Sequence, residues 1–362
     1  MLRPAHIDAS WIGQILPWDL YTDSGVLIAA AGMPIDDEAQ YLRLVARPLY
    51  RDVAYPARSP RIGVGAADRL ASLAREAEAL MAPPYGISFQ DQLTTLVRAL
   101  LILYRDDPDR CLGYGRLVPL ARPVLRHAMQ VMMIAVLLGE EQDLGETGLE
   151  QLACAALTMN FDAFDLHDRL YSQSGRLGEA DRQSIRAHPA AAAQALSATG
   201  VDAAGWLAAV AQHHECMDGS GYPEGLQGEA IAMPARILHV ADVYCSKLAS
   251  RHYRPAKTPG VAMQELFGID RHRLDEQLAS LLMRRLGLYP PGTLVRLENG
   301  ESACIARRGQ GGSVRRAISF LDAEGRLLEP PRGRDLATHT IRGLLSPDPA
   351  WPAVEWERIW EE

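Results

Sequence analysis

The stretch HHECMDGSGYPEGL, residues 213–226, sets two adjacent histidines, a glutamate, an aspartate and a glycine-rich turn within a short run. Neutral imidazoles with carboxylates suit Mn, Fe or Zn ions, and a carboxylate can bridge two such ions in a hydrolytic pair. The chain has ten histidines, and four in its middle section can converge on such an ion: His127, His188, His213 and His214. Neighbours on a regular helix point about 100° apart, so His213 and His214 can share an ion only near a helix end or bend. The following DGSGYP, residues 218–223, supplies such an end. Spacing alone leaves open the alternative that these are core or surface histidines with hydrogen-bond partners of their own. The turn has a reading apart from catalysis. Gly219, Gly221 and Gly225 permit backbone angles closed to other residues, Pro223 fixes one, and Tyr222 offers a ring that can stack or hydrogen-bond. Composition leaves it either a helix cap or a contact loop.

Helices must bring those histidines together, and residues 66–285 have the texture for it. AADRLASLAREAEALM (66–81), FQDQLTTLVRALLILYRD (89–106), LARPVLRHAMQVMMIAVLLGEE (120–141) and LEQLACAALTMNF (149–161) repeat Ala, Leu and Val three or four apart. Residues 1–65 read as a small β-containing module and a linker: LYTDSGVLIAAAGMPI is a hairpin signal, and YPARSPRIGVG is rich in Pro, Gly and Arg. Residues 286–345 read as a small β module, with two hairpins turning at Asn-Gly and Glu-Gly. The tail, 346–362, is either docked or a partner-binding segment. The expected fold is mainly α, a helical domain flanked by β-containing modules.

Composition narrows the function classes. With 48% apolar and 23% charged residues, the chain is an ordinary globular sequence with a sizeable core. Its net charge is -8, from 37 basic and 45 acidic residues, and no basic block stands out, which argues against a nucleic-acid polymer or an anionic membrane as main partner. AMQVMMIAVLLG (128–139) is too short to span a bilayer and reads as a buried helix. The N-terminal residues lack the pattern of a secretory signal, so a cytoplasmic location is expected. The five cysteines are scattered and never form a CxxC pair, which indicates reduced, buried thiols.

The run HHECMDGSGYPEGLQGEAI (213–231), followed by ARILHVADVY (235–244), resembles the signature of the HD-GYP family, a subclass of HD-domain metal-dependent phosphohydrolases. GRLGEADRQSIRAHPAAAAQAL (175–196) and HAMQVMMIAVLLG (127–139) are similar to the family's upstream segments, and the likeness covers about residues 90–285. The resemblance implies an HD-type helical bundle whose metal site hydrolyses the bacterial second messenger cyclic di-GMP to pGpG and sometimes GMP. It implies His127, His188, His213, His214 and Asp242 as metal ligands. It also points to Asp218, Gly221, Tyr222 and Pro223 of the loop as ligand or partner contacts, with Arg251 and Arg254 of SRHYRPA (250–256). Arginine suits bidentate phosphate binding, although a solvated or salt-bridged face is an alternative for that segment.

The chain departs from the family where the HDxGK motif is expected, because those positions are Met159, Asn160, Phe161, Asp162 and Ala163. His167 and Asp168 fall where the family has Pro-Asp, so they are read as outside the ligand set. Met159 offers a soft thioether and Asn160 lacks the carboxylate that bridges two cations. Pro123 stands for a family glutamate, Ala163 for a phosphate-binding lysine and Cys245 for a second aspartate. The expectation is one divalent ion (Mn, Fe or Zn) on His188, His213 and His214, with His127 and Asp242 a thin second site. The chain then reads as a degenerate, catalytically impaired HD-GYP protein of cyclic di-GMP signalling that binds the dinucleotide or a signalling protein. Two readings compete with it: an active metal-dependent cyclic di-GMP phosphodiesterase, and a protein-binding scaffold with a vestigial pocket.

Overall fold

The computed structural model describes residues 66–348 and 351–360, apart from 84, 86–87, 118–121, 162, 173–177 and 251–255, together with parts of the first 52. The chain forms two compact units, 1–64 and 65–362.

In the first unit, β1 (Leu2–Ala5), β2 (Leu20–Tyr21), β3 (Leu27–Ala29), α1 (Glu38–Val45) and β4 (Leu49–Asp52) follow one another. The strands form an antiparallel sheet in the order β1-β4-β2-β3. The expected hairpin is present, with Leu20 opposite Ala29; its Asp-Ser-Gly turn and the 55–65 linker lie outside the described residues. Helix α1 was not anticipated from the strand-like texture. Asp37 starts it by accepting a hydrogen bond from the Gln40 N–H at 2.7 Å, and its Leu44 joins Leu20 and Ile35 in the unit's core.

In the second unit the helix-period stretches become helices: α2 (Ala66–Leu80), α3 (Phe89–Asp106), α4 (Pro108–Leu117), α5 (Pro123–Gly139), α6 (Gly145–Thr158), α7 (Phe164–Ser172), α8 (Glu179–Ala198), α9 (Ala204–Gln212), α10 (Met233–Leu248), α11 (Pro259–Phe267) and α12 (Glu276–Leu286). From Val131 onward helix α5 is apolar on every side, with Val131, Met132, Ala135, Val136 and Leu138 all buried. Such a helix belongs at the centre of a core, and each fully buried Val, Leu or Met there contributes roughly 1.5–3 kcal/mol. Helices α6 and α10 pack against it. Proline opens α5, α10 and α11, where its missing N–H has no helical partner to lose.

The C-terminal strands β5 (Leu294–Leu297), β6 (Ser302–Arg308), β7 (Val314–Leu321), β8 (Leu327–Asp335) and β9 (Ile341–Leu344) make a single antiparallel sheet, ordered β8-β7-β6-β5-β9. Both expected hairpins are present, and β6–β7 pairing merges them. The sheet is tied to α4: Arg307 pairs with Asp107, and Arg308 Nε donates to Asp109 at 2.5 Å. The tail is docked. Trp360 is 2% exposed and fills the space left by Gly113, where a Cβ would lie 2.0 Å from its ring. The chain is thus mainly α with small antiparallel sheets at both ends. All five cysteines are free and buried. Among the described residues no helix is long and apolar enough to cross a membrane.

Candidate metal centre

The dipeptide His188-Pro189 lies inside α8. Having no N–H, Pro189 leaves the Ile185 carbonyl, four residues back, without its helical donor. His188 Nδ1 takes that carbonyl at 2.6 Å. His213 caps α9, where the last carbonyls have no helical donors, and its Nδ1 reaches the Val210 carbonyl at 2.6 Å. Each ring therefore carries its hydrogen on Nδ1, an assignment made from the hydrogen-bond network, and in the neutral form presents a bare Nε2. These two Nε2 atoms lie 3.2 Å apart. Neither neutral ring has a second hydrogen to donate, so the two lone pairs oppose each other unless a cation stands between them.

His214 completes the cluster: one ligand nitrogen from each of His188, His213 and His214 lies within 4.8 Å of the others. Burial, then the neighbouring His188, pushes the pKa of His213 down to about 3. Burial also lowers those of His188 and His214. The rings stay neutral, which is the metal-ligating form, and main-chain carbonyls on Nδ1 orient such ligands. The donor set fits a single borderline divalent ion.

Helices α5 and α10 bring the other two expected ligands together, but on each other: His127 Nε2 and Asp242 Oδ1 are 2.6 Å apart. Burial opposes the Asp242 charge. The hydrogen bond to His127 outweighs it and holds the carboxyl well below the usual range.

The glycine-rich loop covers the cluster. Tyr222 stacks on His214 with ring centroids 4.8 Å apart, and the Arg186 guanidinium lies 5.7 Å from the Tyr222 centroid. Gly221 is required by close approach, since a Cβ would stand 2.3 Å from the Cys216 nitrogen and 2.6 Å from the His214 oxygen. Asp218 is exposed and binds its own turn, accepting from Ser220 N–H at 2.9 Å and Oγ–H at 2.6 Å. Arg251 and Arg254 lie outside the described residues. The loop's anchor, Glu215, was not singled out from sequence. It is 2% exposed and accepts from the N–H groups of Glu224, Gly225 and Leu226 at 2.7, 3.2 and 2.9 Å. The available signal was the need of three consecutive turn N–H groups for an acceptor.

A family model described as "HD domain" matches residues 114–278, from the last turn of α4 into α12. Over those residues the helical array is similar to an HD domain. It is similar to the cyclic di-GMP phosphodiesterase PA4108 of Pseudomonas aeruginosa, 26% identical over 258 residues, 70% of this chain and 62% of that one. The cyclic di-GMP phosphodiesterase response regulator RpfG of Xanthomonas campestris is 33% identical over 153 residues, 42% of this chain and 40% of that one. The 3'3'-cGAMP-specific phosphodiesterase 1 of Vibrio cholerae is 28% identical over 171 residues, covering 45% and 38%. The chain thus spans less than two thirds of the length of each of these relatives. Among solved structures, Bd1817, an HDG"Y"P protein from Bdellovibrio bacteriovorus, shares the fold with a TM-score of 0.52 at 14% identity, over 78% of this chain and 98% of that one.

Within that array, the departures from the family motif have definite places. Met159 ends α6 at 1% exposure and belongs to the main apolar core. Asn160 is buried, and its carbonyl accepts from the Ala163 N–H at 2.9 Å. Pro123 opens α5. His167 and Asp168, read as outside the ligand set, sit apart from each other. The His167 ring lies 5.0 Å from that of His188, and its Nε2 is buried with no hydrogen-bond partner. Asp168 turns away to the start of α5, accepting from Arg122 Nε at 2.7 Å and the Val124 N–H at 2.9 Å. Adjacent positions on α7 point about 100° apart, so one faces the cluster and the other does not.

Proposed function

We propose that this HD domain holds one divalent ion on His188, His213 and His214 and binds cyclic di-GMP in bacterial, cytoplasmic signalling, with hydrolysis impaired. The observation that carries this reading is the 3.2 Å approach of the two bare Nε2 atoms, with His214 in ligand range. A bound ion would supply Lewis-acid polarisation of a phosphate oxygen. Around it, Tyr222 stacked on His214 roofs the site and Glu215 holds the loop in place. Two-metal hydrolysis uses ions about 3.5–4 Å apart, and the neutral Asn160 supplies no bridging carboxylate between them. The names of the relatives support a cyclic dinucleotide as the ligand class. We also read 66–285 as the ligand-binding domain and 286–345 with the tail as its accessory module.

The second reading, an active phosphodiesterase, is favoured by His167, whose buried Nε2 beside His188 can enlarge the ligand set. Calorimetry and chromatography on the metal-loaded chain separate the two. Saturable binding of cyclic di-GMP without appearance of pGpG or GMP is expected. Turnover that is lost in His167→Ala would replace this reading with the second.

A further inference from the structure

A cavity of about 330 Å³ lies between α4, α5, α10, the start of β5 and the end of β9. It is at the small end of ligand sites, which run from roughly 300 to 1,000 Å³. None of His188, His213 or His214 lines it, so a ligand held there is independent of an ion on the histidine cluster. Its charged walls have one sign. Arg116, Arg126 and Lys257 line it, with His127, and among the described residues no aspartate or glutamate does. That bias stands out in a chain whose acids outnumber its bases by 45 to 37.

Arg116 is the decisive residue. Its Nη1 is buried without a hydrogen-bond partner, and among the described residues it forms no ion pair. The titratable groups around it are Tyr244, Cys304 and Cys245, and burial pushes each of these up, so none is an anion at neutral pH. Burial pulls Arg116's own pKa down. Other partly buried arginines of this unit have carboxylates: Arg236 with Asp275, Arg308 with Asp109, and Arg334 with Glu301. Arg116 cannot be explained by crowding, because Gly292 makes room for its stem; a Cβ there would stand 3.0 Å from Arg116 Cδ. A second donor on the same wall, Tyr244 Oη, is also buried without a partner. Lys257 is shared with Glu265, which leaves the two arginines to set the charge.

A buried guanidinium with no counter-ion is strongly unfavourable. The complement that relieves it must bring negative charge and several acceptors, and the guanidinium fork matches phosphate oxygens. We propose that this cavity binds a small phosphate-bearing ligand, up to about the size of a mononucleotide, with Arg116 as its buried anchor, Arg126 as a second cation and Tyr244 as a hydroxyl donor. Three donor side chains in one cavity suit a phosphate, with its several acceptor oxygens, better than a two-oxygen carboxylate.

The test is thermal unfolding of the full chain after exhaustive chelation, so that a metal ion cannot supply the anion site. Inorganic phosphate and a purine nucleoside 5'-monophosphate are titrated against sodium chloride and sodium acetate at matched ionic strength. A saturable rise in Tm with the two phosphates alone is expected. Arg116→Met should abolish that rise and should itself melt higher than the parent without phosphate, because it removes an uncompensated charge. Should that variant not fold, Arg126→Gln, at a partly exposed position, serves instead, with the apparent phosphate affinity falling about tenfold or more. His213→Ala should keep the full phosphate response. The proposal is overturned by absence of a saturable phosphate response in the parent, by an equal response to acetate, or by a response that survives both arginine substitutions.

Discussion

His188 and His213 face each other through their Nε2 atoms at 3.2 Å, while each Nδ1 is committed to a main-chain carbonyl. The carbonyl on the His188 side is free because Pro189 has no N–H, and on the His213 side because α9 ends there. The local chain therefore aims both lone pairs at one point before any ion arrives.

His213→Ala should remove the metal dependence of stability. In the parent, adding Mn, Fe or Zn to chelated protein raises Tm by linkage. In the variant the same addition should leave Tm unchanged. A retained shift would mean that the ion binds elsewhere.

Pro189→Ala should separate stability from metal affinity. The restored N–H competes with His188 for the Ile185 carbonyl, and a helix-interior proline is replaced, which is worth up to about 3 kcal/mol. The apo variant should be at least as stable as the parent, while its ion affinity falls about 10- to 100-fold, as for lost outer-sphere partners of metal ligands. Competitive titration with a chromogenic chelator reads the affinity; an unchanged value would contradict the orienting role.

Glu215→Ala should release the glycine-rich loop. It strips a charged acceptor from three N–H groups, a loss of about 1–3 kcal/mol or more. Limited proteolysis should cut within 219–228 far faster than in the parent. Equal cutting rates would show that the Tyr222–His214 stack holds the loop unaided.

Met159→His with Asn160→Asp should raise bound metal, because it puts an imidazole and a carboxylate at the positions where the family motif has them. An unchanged metal content in the folded double variant would place the defect elsewhere, with Pro123 the next candidate.

Much of this was legible in the chain. Helix α3 runs over the stretch whose periodicity marked it, and α5 is buried as its all-apolar run implied. The helix end that lets the adjacent His213 and His214 meet was expected from DGSGYP; α9 ends at Gln212, ahead of that turn. Other features were not. Helix α1 depends on a cap at Asp37 amid strand-like neighbours. His167 and Asp168 were read together because counting along the family motif gives positions but not the rotation of α7. Arg116 is an ordinary surface cation in one dimension, and only packing shows that, among the described residues, no carboxylate meets it.

The most direct test is the number of ions per chain, by elemental mass spectrometry, on protein purified anaerobically after growth with added manganese and iron. One tightly held ion is expected in the parent and none in His213→Ala. Two or more ions in the parent would contradict the single-ion site, because the second would have assembled without an imidazole at 159 or a carboxylate at 160.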